Sequence, residues 1–139
     1  DLRVMAEETH MAIPAGKLGL AYPYHGLERL VAVAGESIAL DMTLTGRLVG
    51  AAEALSLGLV HRTAPAAGLR ETTHELAGQI AVGAPLALRY LRLATRRSGR
   101  GILAPEEISE LSANCFASSD YREGLAAFRE KRRPVFKGR

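Results

Sequence analysis

The stretch Leu44-Thr45-Gly46-Arg47, followed by Ala51-Ala52-Glu53-Ala54-Leu55-Ser56-Leu57-Gly58-Leu59-Val60, decides the fold of this 139-residue chain. Alanine gives up no side-chain entropy in a helix, so residues 51–57 predict a compact one. Gly58 stands where a left-handed C-terminal cap belongs, and Leu59-Val60 leads into a brief extended piece. Gly46 closes an earlier short helix marked by Ile38, Leu40, Met42 and Leu44, and Gly35 stops the helix before that, marked by Leu27, Leu30, Val31 and Ala34. Further upstream, residues 2–6 and 9–13 predict two short strands. Pro14, Gly16, Gly19 and Gly26 break regular structure across the long turn between strand and helix.

Downstream of Pro65 the pattern is almost continuously helical. Leu69, Leu76 and Ile80 mark one apolar face. Pro85 and Pro105 each suit the first position of a helix, where the absent N–H costs nothing. Leu86, Tyr90 and Leu93 form one stripe, and Ile108, Leu111 and Cys115 another. Asp120, with Glu123 three residues on, predicts a capped fourth helix whose buried face is Tyr121, Leu125 and Phe128. The organisation is therefore mixed strand and helix to residue 66, then four helices over 67–139. Four amphipathic helices behind so small a β portion need a larger surface to cover, either the absent half, a neighbouring subunit or both, and oligomerisation is the expected outcome.

A chain with 47% hydrophobic and 24% charged residues has the composition of a folded globular protein. No apolar run approaches the roughly 20 residues of a membrane span. Cys115 is the only cysteine, which excludes an internal disulfide and a cysteine-rich metal site and fits a reducing, cytoplasmic setting. His10, His61 and His74 have no ligand spacing, so no metal is expected. Charge is uneven: residues 120–139 carry seven basic side chains against three acidic ones, within a net charge of +3 for the whole chain. A basic tail suits a phosphorylated small molecule, an acidic surface or nucleic acid. Without interleaved aromatics or a recognised motif, nucleic acid is the weakest of these. The chain opens Asp1-Leu2-Arg3-Val4-Met5 inside a strand-like run, from which an absent N-terminal portion is expected.

Three stretches in register resemble the crotonase (enoyl-CoA hydratase/isomerase) family. The first is Asp1 to Glu7 with Ile13-Pro14-Ala15-Gly16-Lys17-Leu18-Gly19-Leu20. The second is the stretch quoted at the outset. The third is Ser119-Asp120-Tyr121-Arg122-Glu123-Gly124, Phe128, Glu130-Lys131-Arg132, Pro134 and Phe136-Lys137-Gly138-Arg139. The resemblance implies an α/β crotonase-like fold: residues 1–66 would end the ββα spiral core, and residues 67–139 would form the helical region that packs a homotrimer or a dimer of trimers. It also implies an acyl-CoA thioester substrate, with coenzyme A as part of that substrate and no prosthetic group.

In the family, two backbone N–H groups polarise the thioester carbonyl and stabilise an enolate, and neither is identifiable in this sequence. Typical hydratases also use two glutamates, one upstream and one in a Pro-Glu pair, which here reads Pro14-Ala15. One oxyanion donor contributes about 2.7–4 kcal/mol, and a general acid or base about 10²–10⁴-fold. This polypeptide alone is therefore expected to be inactive. The turn Leu20-Ala21-Tyr22-Pro23-Tyr24-His25-Gly26-Leu27-Glu28 offers replacements. By resemblance it lines the acyl pocket, and a tyrosine stands at the Tyr22 position in the family's malonyl-type decarboxylases. Tyr22 and His25 are the candidate catalytic residues. Tyr24, Gly26, Phe136 and Lys137 are candidates for binding substrate or coenzyme A, with Lys137 placed to meet its phosphates. The expected reaction is hydration of a 2-enoyl-CoA. A decarboxylase or isomerase using Tyr22, and a coenzyme A-binding member without activity, are the alternatives.

Overall fold

The computed structural model describes residues 1–97 and 104–139. It divides into two compact units, Asp1–Glu75 and Leu76–Arg139. In the first, strand β1 (Val4–Ala6) pairs in parallel with β4 (Arg62–Ala64), in the register Val4 to Arg62, Met5 to Thr63 and Ala6 to Ala64. Parallel pairing requires a long crossover, and everything between the two strands supplies it. Strand β2 (His10–Met11) pairs antiparallel with β3 (Val49–Gly50) inside that crossover. The β3 segment escaped the sequence pattern, since two residues are too few for alternation to register. The brief extended piece into which Leu59-Val60 leads is β4, which begins at Arg62 after His61 and Arg3 exchange main-chain and ring contacts: His61 N–H donates to Arg3 O at 2.9 Å, and Arg3 N–H to His61 Nδ1 at 3.1 Å.

Helix α1 (Tyr24–Ala34) begins three residues earlier than its apolar stripe suggested. Pro23, held at φ −56°, caps it from outside, so the helix can start directly after the proline. Gly35 at φ +81° separates α1 from α2 (Glu36–Thr45), a backbone angle that favours glycine. Helix α3 (Ala51–Ser56) follows β3 without a break, and Gly58 takes φ +70° two residues past its end, as the sequence indicates. Met5, Met42, Val49, Ala51, Ala54, Leu59 and Val60 form the core, with Met11, Leu30, Ala34, Ile38 and Leu57 packed against it. Strands β1 to β3 and helices α1 to α3 each send at least one side chain there.

Helix α4 (Leu69–Ala81) contains the boundary between the units. Its start is prepared by Glu8, whose carboxylate accepts from the Ala66 N–H at 3.0 Å. The second unit contains α5 (Pro85–Arg97), α6 (Pro105–Ala117) and α7 (Ser119–Glu130). Both prolines open their helices as predicted.

Candidate functional site

The turn that replaces the Pro-Glu pair is a rigid one. Lys17 and Leu18 donate their N–H groups to Pro14 O at 3.0 and 3.1 Å, and Leu20 N–H reaches Ala15 O at 3.1 Å. The turn is fastened to the end of α2, where Lys17 Nζ donates to Gly46 O at 2.8 Å. Gly46 has two reasons to be glycine. Its φ is +55°, and a methyl group there would lie 3.2 Å from Lys17 Cε and 3.3 Å from Pro14 Cα. Ala15 is buried, and its methyl group has no proton to transfer.

Arg47, next to Gly46, ties α2 to α3. Its guanidinium donates to Asp41 Oδ2 at 2.6 Å and, bidentately, to Glu53 at 2.9 and 2.7 Å. Donating to Glu53 and then to Asp41 raises the Arg47 pKa, while the bond from Arg47 holds the Glu53 carboxyl below its ordinary value. A fork-shaped donor facing two acids is the geometry that favours arginine over lysine. Its partners stand six residues away on either side, a spacing that no helical or strand periodicity marks.

Residues 22–28 hold the polar groups singled out above. The Tyr22 ring lies against Gly26: a methyl built on Gly26 would stand 2.5 Å from Tyr22 Cε1 and 3.2 Å from Cδ1. Gly26 is the third residue of α1 and has no left-handed φ. Glycine inside a helix costs roughly 0.5–1 kcal/mol relative to alanine. The gain it brings here is room for the ring, since the backbone does not require it. Tyr24 is 70% exposed, and its ring centroid lies 6.1 Å from that of His25. The His25 side chain is 94% exposed and its Nδ1 lies 3.0 Å from Glu28 Oε2. With α1 starting at Tyr24, Glu28 sits in the second turn of the helix, where it faces His25. The structure thus joins Tyr22 to Gly26, Tyr24 to His25, and His25 to Glu28, on one segment of the first unit.

Phe136 and Lys137 belong to the second unit, where residues 131–139 fold back along α7. Ser118, not Asp120, caps this helix: its hydroxyl accepts from Tyr121 N–H at 3.0 Å. Asp120 is buried inside the first turn, and its two carboxylate oxygens accept from the N–H groups of Lys137 and Gly138 at 2.7 Å each. Glu123 likewise turns to the tail. It accepts from Arg132 at 2.6 and 2.9 Å and from Val135 N–H at 2.8 Å. The Arg132 bond, then the Val135 bond, lowers the Glu123 pKa to about 2. Arg132 is therefore held in ion pairs with Glu123 and Glu130.

The Phe136 ring edge approaches Gly124, where a methyl would lie 3.6 Å from its Cε1. The inner stripe of α7 is Asp120, Glu123, Gly124 and Ala127, of which Asp120 and Ala127 are buried and Glu123 and Gly124 half-buried. Tyr121, Leu125 and Phe128, the expected inner face, are exposed. A polar strap covers the acidic stripe and leaves the apolar one outside. The Lys137 main chain is fixed by Asp120 while its side chain is exposed. Cys115 is half-buried. Among the described residues there is no group of three or more His, Cys, Asp or Glu able to hold a metal ion, and no helix is long and apolar enough to cross a membrane.

Comparison with known proteins shows the family and the fold. The family described as Enoyl-CoA hydratase/isomerase matches residues 1–139. A carnitinyl-CoA dehydratase of Escherichia coli O157:H7 is 36% identical over 146 residues, covering 100% of this chain and 56% of that protein. Among solved structures, an enoyl-CoA hydratase from Mycobacterium tuberculosis H37Rv superposes with a TM-score of 0.89 at 34% identity, over 100% of this chain and 56% of the other. An enoyl-CoA hydratase/carnithine racemase from Magnetospirillum magneticum gives 0.89 at 33% identity, over 100% and 52%. The chain thus spans about half the length of the relatives it matches, and the α/β core and helical region described above have the crotonase-like fold.

Proposed function

This chain belongs to the enoyl-CoA hydratase/isomerase family, and from that premise we propose that it is the C-terminal half of an enzyme that hydrates a 2-enoyl-CoA or runs the reverse dehydration. Enzymes of this family work on coenzyme A thioesters without a prosthetic group. Water adds at C3, the displaced π electrons move through C2 to the carbonyl oxygen, and the resulting enolate takes a proton at C2. The oxyanion donors for that enolate would come from the part of the protein that precedes Asp1. Water chemistry is favoured by one observation: the carnitinyl-CoA dehydratase likeness runs through the whole chain at 36% identity, and dehydration is hydration reversed.

Within the chain, the Tyr22 hydroxyl is the group proposed to face the reacting thioester, with His25 of the same segment as the second candidate for acid or base. Tyr24 and Gly26 would border the acyl group. Phe136 and Lys137 would meet the nucleotide end of coenzyme A, an exposed ammonium being suited to phosphate. The assembly proposed is a homotrimer or a dimer of trimers in the cytoplasm.

Ala15 favours a second reading. With no carboxylate in the Pro14-Ala15 pair and a phenol at Tyr22, a decarboxylase of malonyl-type thioesters is chemically possible, and so is a coenzyme A-binding subunit without turnover. The full-length protein is assayed with crotonyl-CoA by loss of the enoyl absorbance, and with a malonyl-type thioester by release of CO₂. Decay of the enoyl signal is the expected result. An unchanged enoyl signal with CO₂ release would mean decarboxylation, and silence in both assays would mean a binding subunit.

A further inference from the structure

We infer that Gly26 serves the acyl site by positioning Tyr22: it is a seat that sets where the phenol stands, and its part at the acyl group is played through that ring and not by direct contact with the substrate. The inference rests on the proposed role of Tyr22. Three observations carry it. The Cδ1–Cε1–Cζ edge of the ring occupies the space a Gly26 side chain would need, with distances to a built methyl of 3.2, 2.5 and 3.5 Å. Real Cβ contacts do not come so close, so any larger residue at this position must displace the ring. Next, Gly26 lies in the first turn of α1 with an ordinary helical backbone. Neither a left-handed angle nor a turn explains a glycine there, and intrinsic propensity disfavours it. Finally, Tyr22 is 40% exposed, so its ring has open space to swing into and its position is not enforced by a surrounding core.

Those observations also say how the device would fail. The first turn of α1 is anchored by Pro23, whose carbonyl accepts from Gly26 N–H at 2.9 Å and from Leu27 N–H at 3.3 Å. The helix is thereby the fixed partner and the ring the movable one. A methyl at Gly26 pushes the ring outward, and the hydroxyl at its far end travels furthest. Fold and phenol position are separable for this reason: Gly26→Ala should fold normally and misplace one hydroxyl.

Two measurements test the inference. In the chain itself, NMR with labelled glycine should show the Gly26 α protons shifted by the Tyr22 ring and in NOE contact with it. Tyr22→Phe should preserve that shift and Tyr22→Ala abolish it. Absence of the contact in the unaltered chain overturns the seat, and this readout survives even if Gly26→Ala does not fold. In the full-length protein, a misplacement of about 1 Å can lower turnover by about 10²-fold, so Gly26→Ala is expected to reduce kcat to that extent with KM little changed. Tyr22→Ala should lower kcat by about 10²–10⁴-fold. The double variant Tyr22→Ala/Gly26→Ala should match Tyr22→Ala alone. An equal further loss from Gly26→Ala in the Tyr22→Ala background would mean that Gly26 acts on the substrate directly, and overturns the inference. If Tyr22→Ala leaves kcat unchanged while the NMR contact persists, the seat stands and the role proposed for Tyr22 falls.

Discussion

Asp120 is a buried anchor for the returning tail of the second unit. It is 2% exposed, and its carboxylate takes the N–H groups of both Lys137 and Gly138 at 2.7 Å. Hydrogen bonds to a charged group contribute roughly 1.5–3 kcal/mol, and their loss leaves two main-chain donors to find water. Asp120→Ala is expected to destabilise the second unit by about 2–4 kcal/mol, on the scale of one to two such bonds. Asp120→Asn, which keeps one acceptor oxygen, should lose about half as much. Urea unfolding of the two variants measures both values, and equal stabilities for Asn, Ala and the unaltered chain would deny the carboxylate this role. The sequence made Asp120 conspicuous for another reason. Asp-x-x-Glu before an apolar run is a helix-start pattern, and Ser118 stands two residues earlier with the same capping chemistry. Local pattern cannot separate such neighbours. What separates them lies 17 and 18 residues downstream, where no short window reaches.

At the scale of the element, α7 and its returning tail are joined by charge. The Glu123 carboxyl titrates at about 2 in the folded chain against an ordinary 4.5, chiefly through Arg132 and then Val135 N–H. A carboxyl with a depressed folded-state pKa stabilises fully above its unfolded value, and that contribution disappears as pH falls through the folded one. The strap is therefore expected to stay docked at neutral pH and to loosen progressively between about pH 4.5 and 2, read from the Val135 amide resonance. Glu123→Gln should remove that step while leaving the Asp120 clasp in place. An unshifted Val135 amide across the whole range would show that the ion pair does not hold the strap. Much of the element structure was legible in advance: the prolines opening α5 and α6, the αL glycines after α2 and α3, and the helical second half all follow from local chemistry. The buried stripe of α7 was not. Burial by a polar strap reverses the rule that the apolar face turns inward, and periodicity reports only which residues are apolar.

For the whole molecule, the open question is what meets the apolar side chains that neither unit covers. Leu40, Leu44 and Leu48 are exposed in the first unit, and Phe116, Phe128 and Val135 in the second. Exposed apolar residues scattered singly are ordinary, but Tyr121, Leu125 and Phe128 share one face of α7, and a grouped apolar face marks a contact. The sequence made the need for a covering surface legible through its four amphipathic helices. It could not say which surface, because amphipathicity fixes a face and not its partner. Phe128 distinguishes folding from association: at 85% exposed it contributes little to its own unit, so Phe128→Asp should change stability by no more than about 0.5 kcal/mol. Ala127, 1% exposed on the neighbouring stripe, is the contrast, since an aspartate there buries an unpaired charge and should unfold the unit. If α7 packs copies together, sedimentation of the Phe128→Asp chain should collapse toward the 14.9 kDa monomer, with its helical circular dichroism intact. A variant that sediments as the unaltered oligomer would place the contact between copies on some other face.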